Sequence, residues 1–176
     1  MEGKLIVFEG VEGSGKSTQI RHLSHWLQNH SGFQQLQTQK IIPALIATRE
    51  PGGTALGTTL RSLLLDSQSA VPVGVSTELL LYATDRAQHV EEVIQPALQA
   101  GSWILCDRFI DSTVAYQGYG RGLSMSLIEQ LNQIATQGIP CHLTLWLQLD
   151  VEIGLHRSQA RGSLDRMEQS NIQFHR

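Results

Sequence analysis

The chain has 176 residues, of which 41% are hydrophobic and 16% are charged, a composition typical of one soluble globular domain. Its formal net charge of −3 lacks the basic excess of nucleic-acid-binding proteins, and no apolar run approaches the roughly 20 residues of a membrane span. We therefore expect small molecules or other proteins as partners, with no nucleic acid and no membrane.

The first predicted strand, residues 5–8, runs directly into a glycine-rich loop of the pattern G-x-x-x-x-G-K-[ST]. Apolar residues then recur at helical spacing, and in such a unit backbone N–H groups and the helix N-terminus surround phosphate oxygens. The motif predicts that Lys16 contacts phosphates and that the Ser17 hydroxyl is a Mg²⁺ ligand. The predicted phosphate-binding residues are Gly10, Val11, Glu12, Gly13, Ser14, Gly15, Lys16, Ser17 and Thr18.

Further strands alternate with segments that are long enough for helices, and this alternation predicts a parallel sheet. The apolar strand-like runs cover residues 45–48, 103–106 and 143–149. Helices are predicted to begin near residues 76, 124 and 150. The glutamine-rich stretch at residues 31–43 has no clear period, so we predict an extended surface loop there.

Charged residues follow two of the predicted strands, at the edge where a parallel sheet gathers its ligands. Asp107 after the third strand is a candidate to hold Mg²⁺ through water, and Arg108 is a candidate phosphate clamp. Arg49 follows the second strand at the same edge. Tyr82 and Arg86 are four residues apart in a predicted helix, so they share a face that suits a nucleobase or ordinary packing.

A phosphate loop by itself leaves GTPases, transport ATPases, sulfotransferase relatives and small-molecule kinases open. Four motifs narrow the choice: FEGVEGSGKST at 8–18, TREPGGT at 48–54, DRAQH at 85–89 and DRFIDSTVAYQG at 107–118. Together they resemble the thymidylate kinase family, whose members phosphorylate dTMP, and the second and fourth motifs in combination are highly specific to it. A regulatory GTPase would carry an N-K-x-D segment, which this sequence does not contain.

The resemblance implies a single P-loop kinase domain over residues 1–176, a three-layer α/β sandwich with parallel sheet order 2-3-1-4-5 and helices on both faces. It implies phosphoryl transfer from ATP, with Mg²⁺, to dTMP in a homodimer formed by helices around the third motif. The absence of a secretory signal before the first strand leads us to expect a cytoplasmic protein.

The chain is C-terminally short for that family, because the resemblance implies a final strand and helix that this sequence lacks. An intact sheet would then lose an edge strand, and apolar surface on the fourth strand would be exposed. A truncated nucleotide-binding remnant with little or no kinase activity is therefore the alternative to an active kinase.

The resemblance also assigns the acceptor site, residue by residue. It implies that Arg49 and Arg108 hold the dTMP phosphate. For the base, it implies that Tyr82 stacks on thymine, that Arg86 hydrogen-bonds it and that Ser112 lies near the edge of its ring. It also implies that Tyr116 and Gln117 form the deoxyribose pocket. Glu12 is similar to the acidic residue that family members direct toward the acceptor sugar.

A lid region at about residues 155–170 contains three arginines. The phosphate loop has no arginine of its own, so the lid is the natural source of positive charge for the transition state. Arg157 lies in the predicted last turn of a helix, where a positive charge opposes the helix dipole. It is therefore a weaker catalytic candidate than Arg161 and Arg166. The predicted catalytic residues are Lys16, Arg108, Arg161, Arg166 and Glu12, and Arg161 is also predicted to contact ATP.

Overall fold

The computed structural model describes residues 2–67, 72–162 and 164–175. Its sheet consists of β1 (Lys4–Glu9), β2 (Leu45–Arg49), β3 (Trp103–Asp107) and β4 (Leu143–Trp146). All pairings are parallel and the strand order is β2-β3-β1-β4, as the resemblance predicted for the first four strands. The two central strands are therefore β3 and β1, which carry the fourth and first motifs at their carboxyl ends.

Helices connect and cover the strands. They are α1 (Lys16–Asn29), α2 (Ser31–Thr38), α3 (Ala55–Leu65), α4 (Val75–His89), α5 (Gln95–Gln99), α6 (Ile110–Thr113), α7 (Met125–Thr136), α8 (Val151–Gln159) and α9 (Ile172–His175). Two π-helical segments, Val90–Ile94 and Val114–Gly120, continue α4 into α5 and extend α6. Among the described residues, no helix combines the length and apolar character that crossing a bilayer requires.

Both faces of the sheet are buried, because the side chains of the central strands alternate between two apolar layers. Leu5 and Val7 of β1 pack with Ile94 on one face. Phe8 of the same strand packs with Ile20 of α1 on the other face. The protein therefore has three layers, with helices on both sides of a parallel sheet.

The edge strand β4 is shorter than the predicted residues 143–149. The N–H of Leu147 still donates to β1 at 2.8 Å, after which the chain leaves the sheet and Asp150 caps the N-terminus of α8. Along β4, Leu143 is 49% exposed and Trp146 is 69% exposed. The expected apolar surface on the fourth strand is present.

The prediction of an extended loop at residues 31–43 is wrong, because residues 31–38 form α2. Phe33 is 4% exposed and packs with Leu27 and Ile42, and its ring meets the edge of Trp103 with centroids 5.8 Å apart. The glutamines that obscured the helical period lie mostly on the solvent side, whereas one buried aromatic anchors the short helix.

We predict that Phe33→Ala lowers the free energy of unfolding by about 3–5 kcal/mol, since a buried ring is replaced by a cavity. Gln35→Ala, an exposed position on the same helix, is the matched control and should change stability by less than about 0.5 kcal/mol. Urea denaturation of the two variants measures the difference. Equal stability of the two would show that α2 does not depend on this contact.

Candidate active site

The phosphate loop connects β1 to α1 and packs against α8. Gly13 has a φ of +70°, a left-handed conformation that side chains rarely adopt. A Cβ at Gly13 would collide with the carbonyl of Gly154 in α8, and a Cβ at Gly154 would collide with the carbonyl of Glu12. Because both residues are glycines, the backbone of the phosphate loop can contact the backbone of α8 directly.

Lys16 begins α1 and is 7% exposed. Its ammonium group donates to the carbonyl oxygens of Gly10 and Val11 at 2.8 and 2.9 Å, and it lies 3.4 Å from the Ser14 hydroxyl. Burial, together with the charge of Arg108, lowers the pKa of Lys16 to about 8. The loop thus holds a buried cation whose charge is sensitive to its surroundings.

Ser17 and Asp107 meet at the carboxyl edge of the sheet although they are 90 residues apart. The Ser17 hydroxyl donates to Asp107 Oδ2 at 2.6 Å. A hydroxyl and a carboxylate side by side are hard oxygen ligands of the kind that Mg²⁺ prefers. Both line one cavity beside the phosphate loop, which we call the cleft. The donor set therefore fits the predicted metal.

Arg108 has a left-handed backbone, with a φ of +70°, and its side chain is held on several sides. One terminal nitrogen pairs with Glu12 at 2.8 Å, and the other donates to the Ser112 hydroxyl at 3.1 Å. The guanidinium lies over the ring of Tyr116, 5.2 Å from its centroid, while the Tyr116 hydroxyl donates to Glu12. Arg108 and Glu12 thus share one ion-paired cluster at the phosphate loop.

Arg86 is 2% exposed and lies over Phe109, yet it still lines the cleft. Nε donates to Glu50, Nη1 donates to Thr113 and Asn132, and Nη2 donates to the carbonyl of Phe109. A guanidinium has five N–H groups. Within the described part of the chain, these four bonds leave one N–H of Nη2 available to a ligand.

The two higher-ranked arginines of the predicted lid have different surroundings. Arg161 follows α8, lines the cleft, donates to Ser158 at 2.8 Å and lies 3.5 Å from Glu168. Arg166 instead donates to the carbonyl of Leu64 at 2.6 Å and pairs with the buried Glu78 at 2.8 Å. Arg166 was predicted to be catalytic, but it does not line the cleft with the phosphate loop. The buried carboxylate of Glu78 and a carbonyl oxygen of α3 hold its side chain elsewhere.

One cavity of about 220 Å³ collects most of the predicted site residues. Those that line it are Glu12, Gly13, Gly15, Lys16, Ser17, Thr18, Arg49, Tyr82, Arg86, Asp107, Arg108, Ser112, Tyr116, Gln117 and Arg161. Gly10 and Val11 line a hollow behind the loop, and Ser14 faces Lys16. In particular, the side chains at 16, 49 and 108 share one pocket, as the sequence-based hypothesis required.

Sequence reasoning missed four charged residues around this cleft. Arg61 of α3 lines it and donates to the carbonyl of Pro51 at 2.9 Å. Glu50 and Glu78 are buried carboxylates that hold arginines. Glu9 ends β1, and the rule that singled out Asp107, an acid at the carboxyl end of an apolar strand, would also have selected it.

The pKa of Glu12 gives the ion-paired cluster a pH dependence. Burial would raise this pKa, but His175, Arg108 and Tyr116 lower it to about 2, below the ordinary value of 4.5. Because the pKa is depressed in the folded state, ionised Glu12 stabilises the fold above about pH 4.5, and this contribution is lost as pH falls toward 2.

We therefore predict that Glu12→Gln is less stable than the unmodified chain at pH 7, by roughly 1–3 kcal/mol, because Arg108 loses a charged partner. The difference should shrink as pH falls below about 4.5. Urea unfolding at a series of pH values measures it, and Glu129→Gln on the exposed face of α7 is the matched control. A difference that stays constant with pH would contradict the assigned pKa.

Comparison with known proteins agrees with this geometry. A family model described as thymidylate kinase matches residues 8–176. The chain is 58% identical to a thymidylate kinase from Cyanothece sp., over 99% of this chain and 78% of that protein. It is also 58% identical to one from Trichodesmium erythraeum, over 100% of this chain and 80% of the relative.

A solved structure extends the similarity to three dimensions. The crystal structure of thymidylate kinase from Ehrlichia chaffeensis superimposes with a TM-score of 0.73 at 35% sequence identity, and the match covers 91% of this chain and 79% of that one. The chain belongs to the thymidylate kinase family.

Proposed function

We propose that this protein transfers the γ-phosphoryl group of ATP to the 5′-phosphate of dTMP in the cleft described above. The observation that carries the proposal is that Lys16, Arg49 and Arg108 line a single cavity. Phosphoryl transfer requires positioning and positive charge more than covalent help, and these cations from three sheet-edge segments provide both.

The phosphate loop forms the donor end of the cleft. Its N–H groups and the N-terminus of α1 favour the negative charge of ATP phosphates. Lys16 already lies inside the loop, with donors that can turn from the carbonyl oxygens of Gly10 and Val11 to phosphate oxygens. Phosphate charge would favour its protonated form and restore the pKa that burial lowers.

Ser17 and Asp107 are the residues that we propose hold Mg²⁺, the first directly and the second through water. When bound, Mg²⁺ neutralises negative charge on the transferring phosphates. Ser17 lies at the start of α1, one residue from Lys16, so the metal ligand and the cation approach the same phosphates. Asp107 is the last residue of β3 and accepts the hydrogen bond of the Ser17 hydroxyl.

The acceptor end of the cleft combines arginines with aromatic rings. Arg49 and Arg108 are the proposed ligands of the dTMP phosphate, and Tyr82 is the proposed stacking partner of thymine. Arg86 supports base recognition because its rigid guanidinium lines the cleft with one N–H of Nη2 to spare. Tyr116 is the proposed wall of the pocket for the deoxyribose of dTMP.

The remaining acceptor residues support this arrangement from behind. Gln117 is 2% exposed and donates to Glu78 at 2.9 Å, so its amide is fixed where it reaches the cleft. Ser112 accepts from Arg108 at 3.1 Å near the proposed edge of the thymine ring. Glu12 holds Arg108 and Tyr116 together at the point where the acceptor sugar is proposed to lie.

An active kinase is favoured over a nucleotide-binding remnant. The chain supplies an assembled cleft that contains the phosphate loop and most of the proposed acceptor residues. We propose that residues 1–176 act as one P-loop kinase domain in which the region around residues 155–170 is the lid, with residue 163 outside the described part.

We also propose a homodimer in the cytoplasm. Large apolar side chains remain exposed on α3 and α4: Leu56 at 46%, Leu63 at 55% and Leu80 at 54%. Such a surface on two packed helices supports association with a second copy. Cys106 and Cys141 are free thiols, which suits a reducing compartment.

The direct test is an assay of ADP production across a series of nucleoside monophosphates. We expect ADP production to depend on dTMP and to fall at least about a hundredfold in Lys16→Ala, because the donor phosphates lose their buried cation. Binding of dTMP, measured by calorimetry, should change less than about twofold, since Lys16 serves the donor.

Lys40→Ala, which removes an exposed lysine, is the matched control and should retain full activity. ADP production that does not depend on dTMP would overturn the proposed function. Equal loss of turnover and of dTMP binding in Lys16→Ala would overturn the assignment of Lys16 to the donor.

The lid arginines give a second prediction. We expect Arg161→Ala to lower kcat at least about tenfold, because Arg161 lines the cleft and is the proposed source of transition-state charge. Arg166→Ala should instead lower the free energy of unfolding by roughly 1–3 kcal/mol, since Glu78 loses a partner. Steady-state kinetics and urea denaturation of both variants separate the two roles, and a larger loss of kcat in Arg166→Ala would reverse them.

A further inference from the structure

Glu9 is a buried carboxylate that does not line the cleft but reaches the segment that carries Arg108. It is the last residue of β1, immediately before the phosphate loop, and is 6% exposed. One oxygen accepts from the backbone N–H of Phe109 at 2.8 Å, and the other accepts from the Ser112 hydroxyl at 2.7 Å. Both partners are about 100 residues away along the chain, in the segment between the end of β3 and the end of α6.

The first of these bonds pins an unusual backbone. Arg108 has a φ of +70°, which costs free energy for a residue with a side chain and persists only where the surroundings hold it. The N–H of Arg108 donates to the carbonyl of Phe8 at 3.0 Å, and the next N–H along the chain, that of Phe109, donates to Glu9. Two consecutive residues of β1 therefore hold this bend.

The second bond orients the Arg108 side chain. A hydroxyl has one hydrogen, which Ser112 donates to Glu9, so its lone pairs are free to accept. One of them accepts from Arg108 Nη1 at 3.1 Å. Carboxylate, hydroxyl and guanidinium thus form a chain of hydrogen bonds that fixes the direction of the proposed phosphate clamp.

We propose that Glu9 is a positioning residue for Arg108, setting both its left-handed backbone and the direction of its guanidinium toward the acceptor phosphate. This proposal rests on the proposed function. Glu9 acts through Arg108 and Ser112 and does not itself contact the acceptor.

The hydrogen bonds to Glu9 require an acceptor on each of its two oxygens. Burial raises the pKa of Glu9 overall, and the bonds from Ser112 and Phe109 and the charge of Arg108 offset only part of that rise. A carboxylate can accept from both donors at once, but a carboxamide has only one oxygen to accept with. In Glu9→Gln, the amide oxygen can keep the bond from Phe109, but the NH₂ group would have to donate to the Ser112 hydroxyl, so the direction of that bond reverses and the negative charge near Arg108 is lost.

The experiment is a double-mutant cycle with Glu9→Gln and Arg108→Ala, measured as kcat/KM for dTMP from ADP production. In the unmodified background we expect Glu9→Gln to raise the KM for dTMP at least about tenfold and the KM for ATP less than about twofold. In the Arg108→Ala background the same substitution should change kcat/KM less than about twofold, because the residue it positions is gone.

Glu129→Gln is the control with the same chemical change at an exposed site of α7, and it should leave both KM values unchanged. If Glu9→Gln does not fold, as judged by thermal denaturation, Glu9→Asp replaces it in the cycle. Glu9→Asp keeps the charge but shortens the reach to Phe109 and Ser112, and the same non-additivity is expected.

Equal losses in both backgrounds, or equal increases in the KM values for dTMP and ATP, would overturn the positioning role and show that Glu9 is merely structural. The proposed function would survive that result, because the unmodified chain would still produce ADP in response to dTMP. An unmodified chain without dTMP-dependent ADP production would overturn both proposals.

Discussion

Cations gathered to bind phosphate repel one another, and carboxylates with little solvent exposure offset part of that repulsion in this cleft. Glu12 pairs with Arg108, and Glu50 pairs with Arg86. A third carboxylate, Glu78, holds the arginines that lie farther from the phosphate loop. Each ion pair also fixes the orientation of a guanidinium group, because the hydrogen bonds between an arginine and a carboxylate are strongest in only a few relative orientations. Charge balance and geometry therefore come from the same contacts.

The parallel sheet gives these pairs their location. Because β1, β2 and β3 run in the same direction, the segments that follow them meet at one edge. Arg49 ends β2, and the phosphate loop and Arg108 directly follow β1 and β3, which explains why motifs about 40 to 100 residues apart contact one cavity. The contact of Gly13 with Gly154 then brings α8, and with it Arg161, to the same place.

Much of this arrangement was predictable because its signals are local. The pattern from Gly10 to Ser17 carries its own geometry, with glycines where the backbone must turn and a helix directly after it. The alternation of apolar strands with helical segments predicted the parallel sheet, and Asp150 marked the start of α8. Local patterning failed at α2, where a single buried aromatic ring holds a helix made mostly of exposed polar residues.

The amino-acid sequence by itself determined the phosphate loop and the approximate position of each strand, because these signals depend on neighbours within one turn or one strand. The resemblance of its motifs to a known family supplied most of the residues that line the cleft, but not Arg61. Only the tertiary structure decided which carboxylate holds which arginine: Glu9 meets Phe109 and Ser112 across about 100 residues, and Arg166 turns to Glu78. Burial and the packing of distant elements select such partners, so the spacing of residues along the chain does not predict them.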